Sequence, residues 1–210
     1  LKESVFGVFH ENFYIIYTLF LIGNLSFLLN FFIPINKFFV LIPIFIFLFF
    51  NFNNSLSSNK RNYYLISNFC IPFVLTFSTF DIGFHYDAAL YHLNFQNWLL
   101  NEKIVYGLSN IYEPFGLSSI NDYILSNFQI NGNFVGLHFL NIAILTSLFS
   151  LLFSIIFFDN KSTYKFAGLF VLFFCFFDNF GINGGGNGFP NFQGIGKVDN
   201  LFGILFLFIA

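Results

Sequence analysis

The stretch Phe134–Phe158 reads FVGLHFLNIAILTSLFSLLFSIIFF and decides the class of fold. It carries no Asp, Glu, Lys or Arg, and its one ionisable residue, His138, lies near its start. Apolar residues succeed one another without the period-two alternation of a barrel strand. A run of this kind, at about 20 residues or more, is long enough to cross a hydrocarbon core of about 30 Å as a helix. A helix satisfies its backbone groups internally, as lipid requires.

Further runs of the same character flank it. They cover about Phe13 to Ile33, Phe38 to Phe52, Tyr63 to Phe80 and Tyr164 to Phe177, and another begins near Leu201. Pro34 and Pro43 are positioned to kink the second. The whole chain agrees with this pattern: 40 of 210 residues are Phe, 57% are hydrophobic and 9% are charged. A soluble domain carries about 25% charged residues. The expected fold is an all-α integral membrane protein, a polytopic bundle of about six transmembrane helices within one domain, residues 1–210. The sequence has no Met and begins at Leu1, which reads as a piece of a longer polypeptide. Cys70 and Cys175 each sit in an apolar run and read as small buried residues.

Lys and Arg set an orientation. Lys60 and Arg61 lie between the second and third runs, and Lys161 and Lys165 between the fourth and fifth. These loops fall on one side, expected to be cytoplasmic. The loops 81–133 and 178–200 fall on the other, acidic side. With eight Lys plus Arg against ten Asp plus Glu, no basic surface for nucleic acid is implied.

The outer loop 81–133 is far longer than a connector of about 4–6 residues. Within it, Ala88 to Leu100 reads as an amphipathic helix lying flat at the membrane interface. Its greasy side is Leu90, Leu93, Trp98 and Leu100, and its polar side His92, Asn94, Gln96 and Asn97. A second short helix is expected from Leu117 to Phe128, interfacial or re-entrant. Trp98, Tyr91 and Tyr106 fit an aromatic belt at headgroup depth.

Ionisable residues concentrate at the start of this loop, at Asp81, His85, Asp87 and His92. Asp87 precedes Ala88-Ala89-Leu90, where an Asp is also a good helix N-cap. His85, Asp87 and His92 do not match a known metal-ligand spacing, and no metal or cofactor is expected. The second outer loop holds Asn183-Gly184-Gly185-Gly186-Asn187-Gly188 and then Gly194-Ile195-Gly196-Lys197. A nucleotide-binding P-loop is excluded, because Asn191 stands where the first Gly belongs and Val198 where Ser or Thr belongs. The segment reads as a flexible polar turn, or as a loop folding over the first with backbone N–H groups and Lys197 meeting a phosphate.

Several blocks occur in order: Tyr86-Asp87-Ala88-Ala89-Leu90-Tyr91-His92-Leu93, Trp98, Val105-Tyr106-Gly107-Leu108-Ser109-Asn110, Phe115-Gly116-Leu117-Ser118-Ser119 and His138-Phe139-Leu140-Asn141. Together they resemble multi-spanning bacterial membrane proteins of the GT-C glycosyltransferase superfamily. The resemblance covers about Phe80 to Asn141. It implies a cytoplasmic-membrane enzyme that takes a sugar from a polyprenyl-phosphate carrier and passes it to a glycan or lipid acceptor of the cell envelope, on the non-cytoplasmic face. It implies that Asp87 is the catalytic carboxylate. The leaving phosphate of such a reaction needs positive charge or N–H donors, for which His92, Lys103 and Lys197 are the candidates, and Asn110 is a further substrate-binding candidate. Many members carry an adjacent Asp-Glu pair where this chain has Asp87-Ala88, and in better-known members the loop comes after the first helix. A non-catalytic envelope protein that binds or transports lipid-linked glycans is the alternative. The apolar runs carry no ionisable group at their centres, which counts against ion-coupled transport.

Overall fold

A computed structural model describes residues 5–35, 66–77, 86–129, 134–158 and 161–174, together with 203, 204 and 206. The described residues are helical, with no strand among them. Helix α1 spans Val5–Asn30. A π turn at Ile66–Cys70 runs into α2, Ile71–Phe77. A second π turn, Ala88–His92, runs into α3, Leu93–Asn101. The single turn α4, Leu108–Ile111, and a 3-10 turn, Glu113–Leu117, lead to α5, Ile120–Phe128. After a 3-10 turn at Phe134–Leu137 come α6, His138–Phe158, and α7, Ser162–Phe174.

Among the described residues one helix, His138–Phe157, is long and apolar enough to cross a membrane. Tyr14–Asn30 and Ser162–Phe173 are shorter apolar helices. The expectation of about six spans is therefore not carried. The third run is described only from Ile66 to Phe77, where a π turn precedes Pro72; proline has no N–H to give the preceding turn. Helix α7 has 13 residues, a rise of about 20 Å. The second run and most of the sixth lie outside the described residues, as do Lys60, Arg61, Cys175 and the glycine-rich loop. Cys70 is exposed rather than buried.

The chain divides into two compact units. One comprises Leu1–Ile16, Ser55–Gly83 and Asn141–Ala210. Here α6 carries a buried row of small residues, with Ser147, Ser150 and Ser154 at 2% exposure or less. The hydroxyls of Thr146, Ser147 and Ser154 donate to the carbonyls of Ile142, Ala143 and Leu151, so these polar groups need no outside partner. Helix α7 lies close against α6: a Cβ at Gly168 would stand 3.2 Å from Ile156 Cγ1.

The other unit comprises Tyr17–Asn54 and Phe84–Leu140. Most of the segment 81–133 thus folds as part of its own helical body, with the C-terminal half of α1 inside it. Helix α5 is its centre, and every residue from Asn121 to Asn127 is buried. Gly23 lets α1 approach α5 closely, since a Cβ there would lie 2.7 Å from Ile124 Cγ1. Beside it Asn127 Nδ2 donates to Ser26 Oγ (2.8 Å), and Phe27 meets Tyr123 edge to face at 5.3 Å. The apolar core gathers Ile35, Phe95, Leu99, Leu108 and Tyr123.

Candidate functional site

The helix that carries Tyr86 to Asn101 does not keep its polar side wholly outward. Ala88, His92, Phe95, Gln96 and Leu99 form the buried face, while Leu90 and Trp98 are 49% and 40% exposed. The expected polar side is therefore split: Asn94 and Asn97 face outward, His92 and Gln96 inward. The inward pair has a partner on α5. His92 Nδ1 lies 2.8 Å from Asp122 Oδ1, and Gln96 Nε2 donates to the same oxygen at 3.4 Å. The other carboxylate oxygen accepts from the Ser119 N–H at 3.1 Å. That last bond is half of a capping box, Ser119-Ile120-Asn121-Asp122, which starts α5. Asp122 and Gln96 are fully buried, and His92 is 5% exposed. Gln96 Oε1 and Asn121 Oδ1 are buried with no hydrogen-bond partner among the described residues. Burial, and then the Asp122 charge beside it, push the Tyr123 phenol above the usual tyrosine range.

The π turn between Ala88 and His92 widens the helix at this point. Leu93 N–H donates to Ala88 O, five residues back. Asn94 Nδ2 donates to Ala89 O and Leu90 O, at 3.0 and 3.2 Å. Asp87 has helical backbone angles, φ −63° and ψ −29°, and its side chain makes no capping hydrogen bond. The N-cap reading of Asp87 is thereby replaced: its backbone is helical and the residue is half-buried.

At the far end of the same helix, Asn30 ties α1 to the turn after α3. Its Nδ2 faces Glu102 O, Ile33 O and Leu99 O at 3.1, 3.2 and 3.5 Å. Asn30 O accepts from Ile104 N–H, and Leu99 O from Ile35 N–H, both at 2.9 Å. The tie shapes a cavity of about 320 Å³. Phe27 of α1 and Phe31 just past its end, Phe95 and Trp98 of α3, and Tyr123 of α5 are among its walls, and the segment from Lys103 to Ser109 forms another side. Among the described residues of the lining, Lys103 is the one cation and none is acidic. Gly107 turns the chain there with φ +81°, a backbone conformation costly for other residues. Trp98 and Tyr106, both exposed, are among its lining residues.

The sequence-derived candidates thus fall in different places. Asp87 and His92 belong to one helix. Lys103 lies beyond its last turn, about 20 Å from Asp87 at the rise of a helix. Asn110 is exposed on α4, its N–H bonded to Gly107 O at 2.9 Å, and is not part of the cavity lining. Lys197, Asp81 and His85 lie outside the described residues. No group of three or more metal-ligating side chains occurs among the described residues. Asp122, Gln96 and Asn30 were not among the candidates. The Ser-x-x-Asp spacing at Ser119–Asp122 was the available signal for a helix start at α5, and nothing local marks Asn30.

Comparison with protein-family models, curated proteins and solved structures finds no match to this chain.

Proposed function

We propose that the chain belongs to a membrane glycosyltransferase of GT-C type, which moves a sugar from a polyprenyl-phosphate donor to a cell-envelope acceptor on the non-cytoplasmic face of a bacterial membrane. The observation that carries this reading is the convergence of two blocks of the resemblance on one cavity. Val105 to Ser109 and Phe115, Gly116 and Ser118 all line it, beside Lys103. An aromatic wall with one cation and no acid among its described residues favours an anionic amphiphile. A surrounding bilayer also accounts for the outward rings of Phe69, Phe73, Phe166 and Phe170, each more than 60% exposed.

In the reaction, Asp87 takes the proton of the acceptor hydroxyl as its oxygen bonds to the anomeric carbon. The bond from that carbon to the phosphate oxygen breaks, and polyprenyl phosphate leaves with the electron pair. A single sugar phosphate does not bridge the length of helix between Asp87 and Lys103. Lys103 therefore serves another anionic group of the bound lipid or glycan, not the leaving phosphate beside Asp87. The same separation favours a second reading, a protein that holds lipid-linked glycans at the cavity without transfer.

The test is transfer of radiolabelled sugar from polyprenyl-phosphate donors by the full-length protein in membrane vesicles. Asp87→Asn should lower transfer by about 10²–10⁴-fold at normal protein level; an active Asp87→Asn enzyme rejects that role. Donor binding without turnover selects the second reading. A Cys placed at Asn110, with Cys70 and Cys175 replaced by Ser, should react with an impermeant thiol reagent in intact cells. Reaction only after the membrane is opened would put the loop in the cytoplasm and remove the physical basis of the proposal.

A further inference from the structure

On an α-helix, residues five apart lie about 140° away from each other. Asp87 and His92 have that spacing, and regular helical geometry would point them in different directions. A π turn intervenes. Its hydrogen bonds join residue i to i+5, as Leu93 N–H to Ala88 O shows here, so residues five apart come one above the other. The turn that carries His92 therefore draws it towards the face of Asp87, away from the wide divergence of a regular helix. Asn94 holds the widened turn through the Ala89 and Leu90 carbonyls. His92 is in turn fixed from α5, with Nδ1 against Asp122 Oδ1, and Asp122 is fixed by Gln96 and by the Ser119 N–H.

We propose that Asp87, His92 and Asp122 work as one unit in the transfer step, with His92 and Asp122 as positioning residues for the catalytic carboxylate. The proposal rests on the glycosyltransferase reading above. With Nδ1–H donated to Asp122, the neutral ring presents Nε2 as an acceptor. The proton that Asp87 removes from the acceptor hydroxyl then has an onward acceptor, and the resulting imidazolium sits against the Asp122 carboxylate. No further oxidant or co-reactant enters: one proton moves from hydroxyl to Asp87 to His92 while the sugar changes partners.

The experiment uses the full-length protein in nanodiscs, labelled with ¹⁵N-histidine, with the His92 signals assigned by their loss in His92→Gln. The expected wild-type spectrum shows the Nδ1–H tautomer. Asp122→Asn should alter it, and Asp87→Asn should move the Nε2 signal. Ring signals unmoved by Asp87→Asn overturn the proposal, and this comparison leaves the buried pair intact, so it stands even if Asp122→Asn fails to fold. In the transfer assay, Asp122→Asn should lower kcat about tenfold or more with KM unchanged. Adding it to Asp87→Asn should cost little further, because the residues act together; full additivity overturns the unit. A wild-type protein without transfer activity rejects the glycosyltransferase reading, while the ring spectra still decide whether the three residues are coupled.

Discussion

Exchanging Asn30 for Asp changes the side chain by almost no volume and reverses its hydrogen-bonding character. In the wild type Nδ2 faces three carbonyl oxygens, at 3.1 to 3.5 Å, and Asn30 is fully buried. The carboxylate of Asn30→Asp has no proton to offer them. Two lost hydrogen bonds cost about 1 kcal/mol each. An uncompensated buried charge costs about 3–5 kcal/mol more, so the loss should be about 5–7 kcal/mol at neutral pH. Asn30→Leu also forfeits the bonds, but it removes Oδ1, which is buried without a partner among the described residues. Its cost should be nearer 2 kcal/mol. Equilibrium unfolding in detergent can be monitored through Trp98, the only Trp in the chain, which lines the cavity that Asn30 helps to shape. Asn30→Asp within about 1 kcal/mol of wild type, or Asn30→Leu worse than Asn30→Asp, would refute the account of the amide as a donor clamp.

Two further outcomes are expected. Gly107→Ala should destabilise the unit by about 1 kcal/mol, because φ +81° is costly for alanine, and its Cβ would meet Asn110 Nδ2 at 3.2 Å; unchanged denaturation would show the turn to be plastic. The raised Tyr123 pKa has a defined sign: its contribution is fully present below about pH 10, the unfolded value, and is lost as pH rises through the higher folded value. Wild type should therefore lose stability in alkali more steeply than Tyr123→Phe, and parallel pH curves for the two would contradict the burial argument.

The helical class was legible because the run from Phe134 to Phe158 needs no partner to be understood. The hydroxyls of Thr146, Ser147 and Ser154 bond their own backbone, and from His138 onward the structure makes the run α6. The end of α5 at Phe128 also agrees with the sequence, though the helix begins at Ile120 rather than Leu117. The direction of the helix carrying His92 was not legible. Helical patterning assigns polar side chains to the outside, and His92 and Gln96 turn inward only because Asp122, 30 and 26 residues further on, meets them. A pairing across that separation leaves no periodic trace in one sequence. The span count suffered from a related limit. Apolar runs were measured as straight helices, whereas Pro72 and the π turn before it are local events that change how far a run reaches. Asp87 and Lys103, grouped because a leaving phosphate beside the carboxylate needs a positive charge, are parted by the helix that joins them.

The π turn at Ala88–His92 also bears on how chains of different length are compared. A helix that widens by one residue has absorbed that residue without displacing the turns beyond it. Deleting Ala89 would restore an α-helical turn and make the Asp and His neighbours at i and i+4, which again share a face. A shorter chain with Asp and His four apart would thus present the same two groups as this one with five. Matching the two by residue count puts one of the pair out of step, and matching them by helical face brings both into register.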